Sequence, residues 1–167
     1  MLEKDLSRMF PGTKLESAEF SDLKDINSEV TVGVRGVLGR IVKPGGNGWI
    51  TLPAWMGRLE LTNQMAALSE REWTLLHDFP WVQNYEVTYI FPEGAEVEEL
   101  EPIDYQTPFG SVTRTQETGA GEVKVFLQVK LDVLKVDPDE YAAFREFCTQ
   151  ADTYAGQRLR ILLKKGN

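Results

Sequence analysis

From Glu122 to Val133 the chain places Val123, Val125, Leu127, Val129, Leu131 and Val133 at every second position, with Glu122, Lys124, Gln128, Lys130 and Asp132 between them. Side chains of a strand alternate between faces, so this stretch has one face for a core and one that is mostly wet. Asp137-Pro138-Asp139-Glu140 follows, with a side-chain acceptor for an N-cap, a proline for the first helical position and acids for the first turn. A helix is therefore predicted over about 138–156. Tyr141, Phe144, Phe147, Cys148, Ala151, Tyr154 and Ala155 recur at three- and four-residue spacing, a stripe that can lie on a sheet. A long strand running into an amphipathic helix is the frame for the rest of the chain.

The chain has 167 residues, 42% of them hydrophobic, enough for one domain with a real core. Its 26 acids against 18 Lys and Arg give a net charge of −8, a field that repels a phosphate polyanion, so nucleic acid is excluded as a partner. A single cysteine and a single histidine exclude an internal disulfide and the usual zinc sites. No apolar run approaches the roughly 20 residues of a membrane span. Met1-Leu2-Glu3-Lys4-Asp5 lacks the basic start and apolar stretch of a signal peptide. The expectation is a chain without membrane insertion, cofactor or bound metal, and its compartment stays open.

Taken in order, Leu2, Leu6, Met9 and Phe10 predict a short helical arm or linker over residues 1–12, and residues 13–167 read as one domain. Lys14 to Phe20 alternate loosely, a polar turn follows, and Val30, Val32 and Val34 mark a second strand over 30–38. Lys43 to Gly48 reads as a hairpin loop returning through Trp49 to Leu52, and 53–70 as mostly irregular. Glu72 to Phe79 predicts a strand with Trp73, Leu75 and His77 on one side, and Tyr85 to Phe91 a half-buried antiparallel strand. Phe109 to Arg114 opens a further strand. Leu159, Ile161 and Leu163 fit a closing strand or a second helical stretch. The fold class is mainly β: an antiparallel β-sandwich with one C-terminal amphipathic helix packed on it and a short N-terminal helical arm.

The candidate chemistry is thin. Cys148 with His77 would supply a thiol and a base, but a mid-helix thiol on an apolar stripe stays protonated, and it reads as core. His77 beside Asp78 reads as structural. Asp22, Asp25, Asn27 and Glu29 lack the fixed pattern of a calcium loop and read as a turn. Glu93, Glu96, Glu98, Glu99, Glu101 and Asp104 read as a solvated face or a charged sheet edge. Trp49 and Trp55 read as packing residues, with a sugar-stacking platform as the rival. The interaction surface worth testing is thus Trp49, Trp55, Glu96, Glu98, Glu99 and Glu101, with no catalytic residue assigned.

Pro92-Glu93-Gly94 after an aromatic strand, Pro108-Phe109-Gly110-Ser111, the long alternating strand, Pro138-Asp139-Glu140-Tyr141 with Phe144, and Ala151-Asp152 come in an order and spacing that resemble a known domain. It is the domain of uncharacterised function that follows the transglutaminase-like domain in multidomain bacterial proteins. Phe10-Pro11-Gly12 and Ser21-Asp22-Leu23 resemble the join between the two. The resemblance implies that the cysteine, histidine and aspartate of the papain-like triad belong to the preceding domain. It also implies a parent from families commonly exported to the periplasm or cell surface. The expected function is a non-catalytic accessory domain that packs on that catalytic domain or presents its substrate. The rivals are a carbohydrate or cell-wall binding module and a carboxylate-based hydrolase.

Overall fold

The computed structural model describes Lys4, Gly12 and residues 14–21, 31–37, 42–54 and 59–163. The expected helical arm, the Asp22 to Glu29 turn and Trp55 lie outside the described residues, Lys4 and Gly12 of the arm apart. The chain divides into two compact units, residues 1–43 and 44–167.

In the first unit, β1 (Lys14–Phe20) pairs antiparallel with β2 (Val32–Val37). The ladder runs from Lys14 opposite Val37 to Phe20 opposite Val32, with one irregularity between Leu15 and Ser17. Beyond it the Ser21 N–H donates to the Thr31 carbonyl, and the Thr31 N–H donates to Ser21 Oγ. The predicted second strand begins at Val32, and Val30 lies outside the described residues.

The second unit is mainly β. Its central sheet has the order β6 (Trp81–Ile90), β10 (Glu122–Leu131), β9 (Gly110–Gly119) and β8 (Ile103–Thr107), antiparallel throughout. The alternation that opened the sequence analysis is the alternation of β10: Val123, Val125, Leu127, Val129 and Leu131 are buried, while Gln128 faces solvent. The strand stops at Leu131, and Val133 follows it as a half-buried loop residue. Gly110 starts β9 opposite Leu131, and a Cβ there would run into the Lys130 carbonyl oxygen. Only glycine lets the two backbones come so close.

A second four-stranded sheet has the order β3 (Lys43–Gly46), β4 (Trp49–Pro53), β12 (Arg158–Leu162) and β7 (Glu96–Val97). Leu52, Leu159 and Ile161 are its buried residues, and Tyr89 of β6 donates to the Pro53 carbonyl at 2.6 Å, tying the two sheets together. The chain after the long helix is thus a closing strand. The expected Lys43–Gly48 loop contracts to Asn47-Gly48. Both have positive φ, 52° and 84°, the geometry of the tight hairpin turn whose twist matches its strands.

Helix α1 (Leu61–Met65) lies in the stretch read as irregular; five residues are too few to show a period. Helix α2 (Tyr141–Ala155) covers the central sheet. Tyr141, Phe144, Phe147, Cys148 and Ala151 join Val112, Leu127, Val129, Leu131 and Phe109 in one core. Phe109 meets Phe144 edge-on at 5.6 Å, and Tyr105 stacks on Phe147 at 6.3 Å.

Two expectations are corrected here. The helix begins at Tyr141, three residues later than its proline, because Asp137 does not cap it. That carboxylate accepts from Thr74 Oγ1 at 2.9 Å and pairs with Lys135 at 2.8 Å. Pro138 to Glu140 form a turn in which Glu140 and Tyr141 N–H donate to the Asp137 and Pro138 carbonyls. The predicted strand over 72–79 shrinks to β5 (Leu75–Leu76), because only these two residues find a partner, β11 (Lys135–Val136). Trp73, expected on the same side of that strand as Leu75 and His77, precedes β5 and is 80% exposed.

Candidate functional site

The two side chains that could have made a thiol site, Cys148 and His77, do not assemble one. Cys148 is completely buried in the middle of α2, and burial, with the nearby Asp152 charge, pushes its thiol up to about 12. A group held neutral at every physiological pH is no nucleophile. The His77 ring lies 5.5 Å from Phe144, and its backbone N–H donates to the Leu134 carbonyl at 2.8 Å. Among the described residues its Nε2 is buried without a hydrogen-bond partner, and burial first, then the Arg71 charge, lowers its pKa against a smaller opposing pull from Asp78. Arg71 sits over the Tyr141 ring at 5.5 Å, and its Nε is likewise buried without a partner among the described residues. Asp152 serves neither group as a base. Both its oxygens accept backbone N–H groups at the start of α1, from Leu61 at 2.8 Å and Thr62 at 2.9 Å.

The acidic run lies along a sheet edge. Glu96 is in β7, the two-residue edge strand, and Glu98 donates its backbone N–H to the Arg160 carbonyl while its carboxylate pairs with the Arg160 guanidinium at 2.8 Å. Glu96, Glu98, Glu99 and Glu101 are all exposed. The same Arg160 guanidinium stands 4.9 Å over the Trp49 ring, so one aromatic face is covered by a cation and Trp49 is joined to the acidic edge through it. Trp55 falls outside the described residues. Among the described residues no group of three or more His, Cys, Asp or Glu side chains could hold a metal ion, and no helix is long and apolar enough to cross a membrane.

Sequence reasoning missed Arg114. It is 3% exposed and sits on β9 in the inward register of Val112, opposite Leu127. Its guanidinium donates to the Glu101 carbonyl at 2.8 Å, Gln157 Oε1 at 2.5 Å and the Tyr154 carbonyl at 3.4 Å. Burial lowers its pKa. The signal was available: a charge at an inward position of an alternating strand must find acceptors inside. Because those acceptors belong to the chain, the arginine clamps the end of α2 and the approach to β8. A polar recess of about 240 Å³ opens beside it, bordered by Asp104, Tyr105 and Tyr154.

The fold and these residues define a mainly β domain with one sheet-covering helix, a sealed thiol and an interior arginine clamp. Residues 49–161 match a family described as a Domain of Unknown Function with a solved structure, DUF3858, and the chain belongs to that family. The fold is similar to that of a crystal structure from Parabacteroides distasonis described as a "putative protease", with a TM-score of 0.58 and 21% identity. The match covers 71% of this chain and 24% of that one, so the chain spans about a quarter of the protein it resembles. No curated protein matches it.

Proposed function

We propose that this chain is a non-catalytic accessory domain of a bacterial transglutaminase-like protein, packing on the catalytic domain or presenting its substrate. The observation that carries the reading is Cys148: the one thiol of the chain is walled into the core and held protonated. The matched fold makes up about a quarter of a much longer chain, which is the setting an accessory domain requires. The resemblance carried by the motifs from Pro92 to Asp152 implies a transglutaminase-like catalytic neighbour and supports the reading.

The test is turnover. The purified chain, incubated with peptide amide and thioester substrates, is expected to release no product. Turnover that disappears in Cys148→Ala would overturn the reading, and so would turnover that survives that variant but is lost on neutralising acids around one recess.

A further inference from the structure

The two four-stranded sheets have four edges, and three of them are blunted. β8 is five residues long, carries Asp104 and is flanked by Pro102 and Pro108; β3 contains Pro44; β7 has two residues. Strands so short or so interrupted offer little to another strand. β6 is different. It runs ten residues, Trp81–Ile90, without proline, glycine or lysine, and pairs with β10 in unbroken register. Among the described residues no strand lies on its other side.

The register shows which groups that side presents. Phe91 N–H donates to the Gly121 carbonyl across the end of the same ladder, and backbone groups in an antiparallel pair alternate in direction. Tyr89, Val87, Tyr85, Gln83 and Trp81 therefore point their N–H and C=O groups at β10. Val82, Asn84, Glu86, Thr88 and Ile90 point theirs outward. Beside the Trp81 end of this edge lies a groove of about 400 Å³, lined by Leu61 and Met65 of α1 together with Phe79 and Trp81, and with Gln64 and Gln83 as its polar members.

We propose that β6 binds an extended peptide of another polypeptide as an added strand. Backbone hydrogen bonds would hold the peptide along the edge, and every second side chain would face the inner side, where the groove takes an apolar one. The outer-facing positions suit Lys or Arg, because Glu86 is the charge on the strand and the whole chain carries −8. A second copy of this chain fits less well: two β6 strands related by a two-fold axis and paired through all five outward-facing residues, Val82 opposite Ile90, bring Glu86 opposite Glu86. The inference is independent of the accessory role, since peptide binding can fail while the chain remains non-catalytic, and the reverse.

The experiment selects binders from a displayed library of ten-residue peptides patterned apolar and polar in alternation. The best binder is then titrated into the full chain by calorimetry, with amide exchange followed by NMR. The expected result is slowed exchange at Val82, Asn84, Glu86, Thr88 and Ile90, and a binder rich in basic residues. N-methylation of those peptide amides that face β6 should raise the Kd at least about tenfold. Thr88→Pro removes an outward N–H that β10 does not use, so it should weaken binding with the fold retained; Met65→Glu should do so through the groove. A library without binders overturns the proposal. So does a binder indifferent to N-methylation, protection elsewhere on the chain, or a homodimer that Thr88→Pro dissolves.

Discussion

The carboxylate of Asp152, in the last turn of α2, accepts the backbone N–H of Leu61, the first residue of α1, at 2.8 Å. Its second oxygen takes the next N–H, that of Thr62, at 2.9 Å. A five-residue helix is far below the length that is stable alone, and Glu60, at its N-cap with φ 53°, gives it no side-chain cap. Asp152 does so from a helix some ninety residues away in sequence, which fixes where the Leu59 to Ala66 segment enters the core. Asp152→Ala is expected to cost about 1–3 kcal/mol in urea unfolding, by leaving two N–H groups without their acceptor. Asp152→Asn, which keeps one acceptor, should lose less.

Cys148 is expected to ignore thiol reagents in the folded protein. At pH 8 a chromogenic disulfide should label it only as fast as the chain opens, and at once in denaturant. Cys148→Ala should lower stability by about 1–2 kcal/mol through the space it leaves among Phe144, Phe147 and Ala151.

Arg114 is expected to be irreplaceable by lysine. One ammonium cannot reach the Glu101 carbonyl, Gln157 Oε1 and the Tyr154 carbonyl together, as the planar fork does. Arg114→Lys should therefore recover little of the roughly 2–4 kcal/mol that Arg114→Ala removes, measured by denaturant unfolding.

His77 should make the fold sensitive to mild acid. Its pKa in the folded chain lies below the ordinary 6.5, so the unfolded chain takes up the proton first. The stability it confers is complete above pH 6.5 and is lost as the pH falls through 6.5 towards the lower folded value. Between pH 7.5 and 5.5 the wild-type melting temperature should therefore fall further than that of His77→Gln.

Much of the second unit was legible because its strongest pattern is also its most buried element. The β10 alternation named the five residues that face the core, and the α2 stripe named Tyr141, Phe144, Phe147, Cys148 and Ala151. What failed were signals with two uses. Asp137 has the chemistry of an N-cap, yet Thr74 and Lys135 are better placed to engage it, and a partner 63 residues away in sequence cannot be seen in a local motif. Trp73 alternates with Leu75 and His77, but a period of two says nothing about which residues have a neighbour to pair with. The acidic stretch was legible as a sheet edge. Its link to Trp49 through Arg160 was not, because that contact exists only once β12 lies beside β4.

That pairing also governs how the domain can come into being. Thr51 and Arg158, joined through the Thr51 carbonyl at 3.0 Å, are 107 residues apart in sequence. A ribosome releasing this chain from its N-terminus produces β4 first and then everything between before it supplies the strand that seals Leu52. Until residue 162 has emerged, the nascent chain carries an unfinished sheet with apolar residues uncovered. Folding of this unit is therefore tied to the completion of its synthesis. Chains arrested after α2 and before β12 would be the ones that engage chaperones.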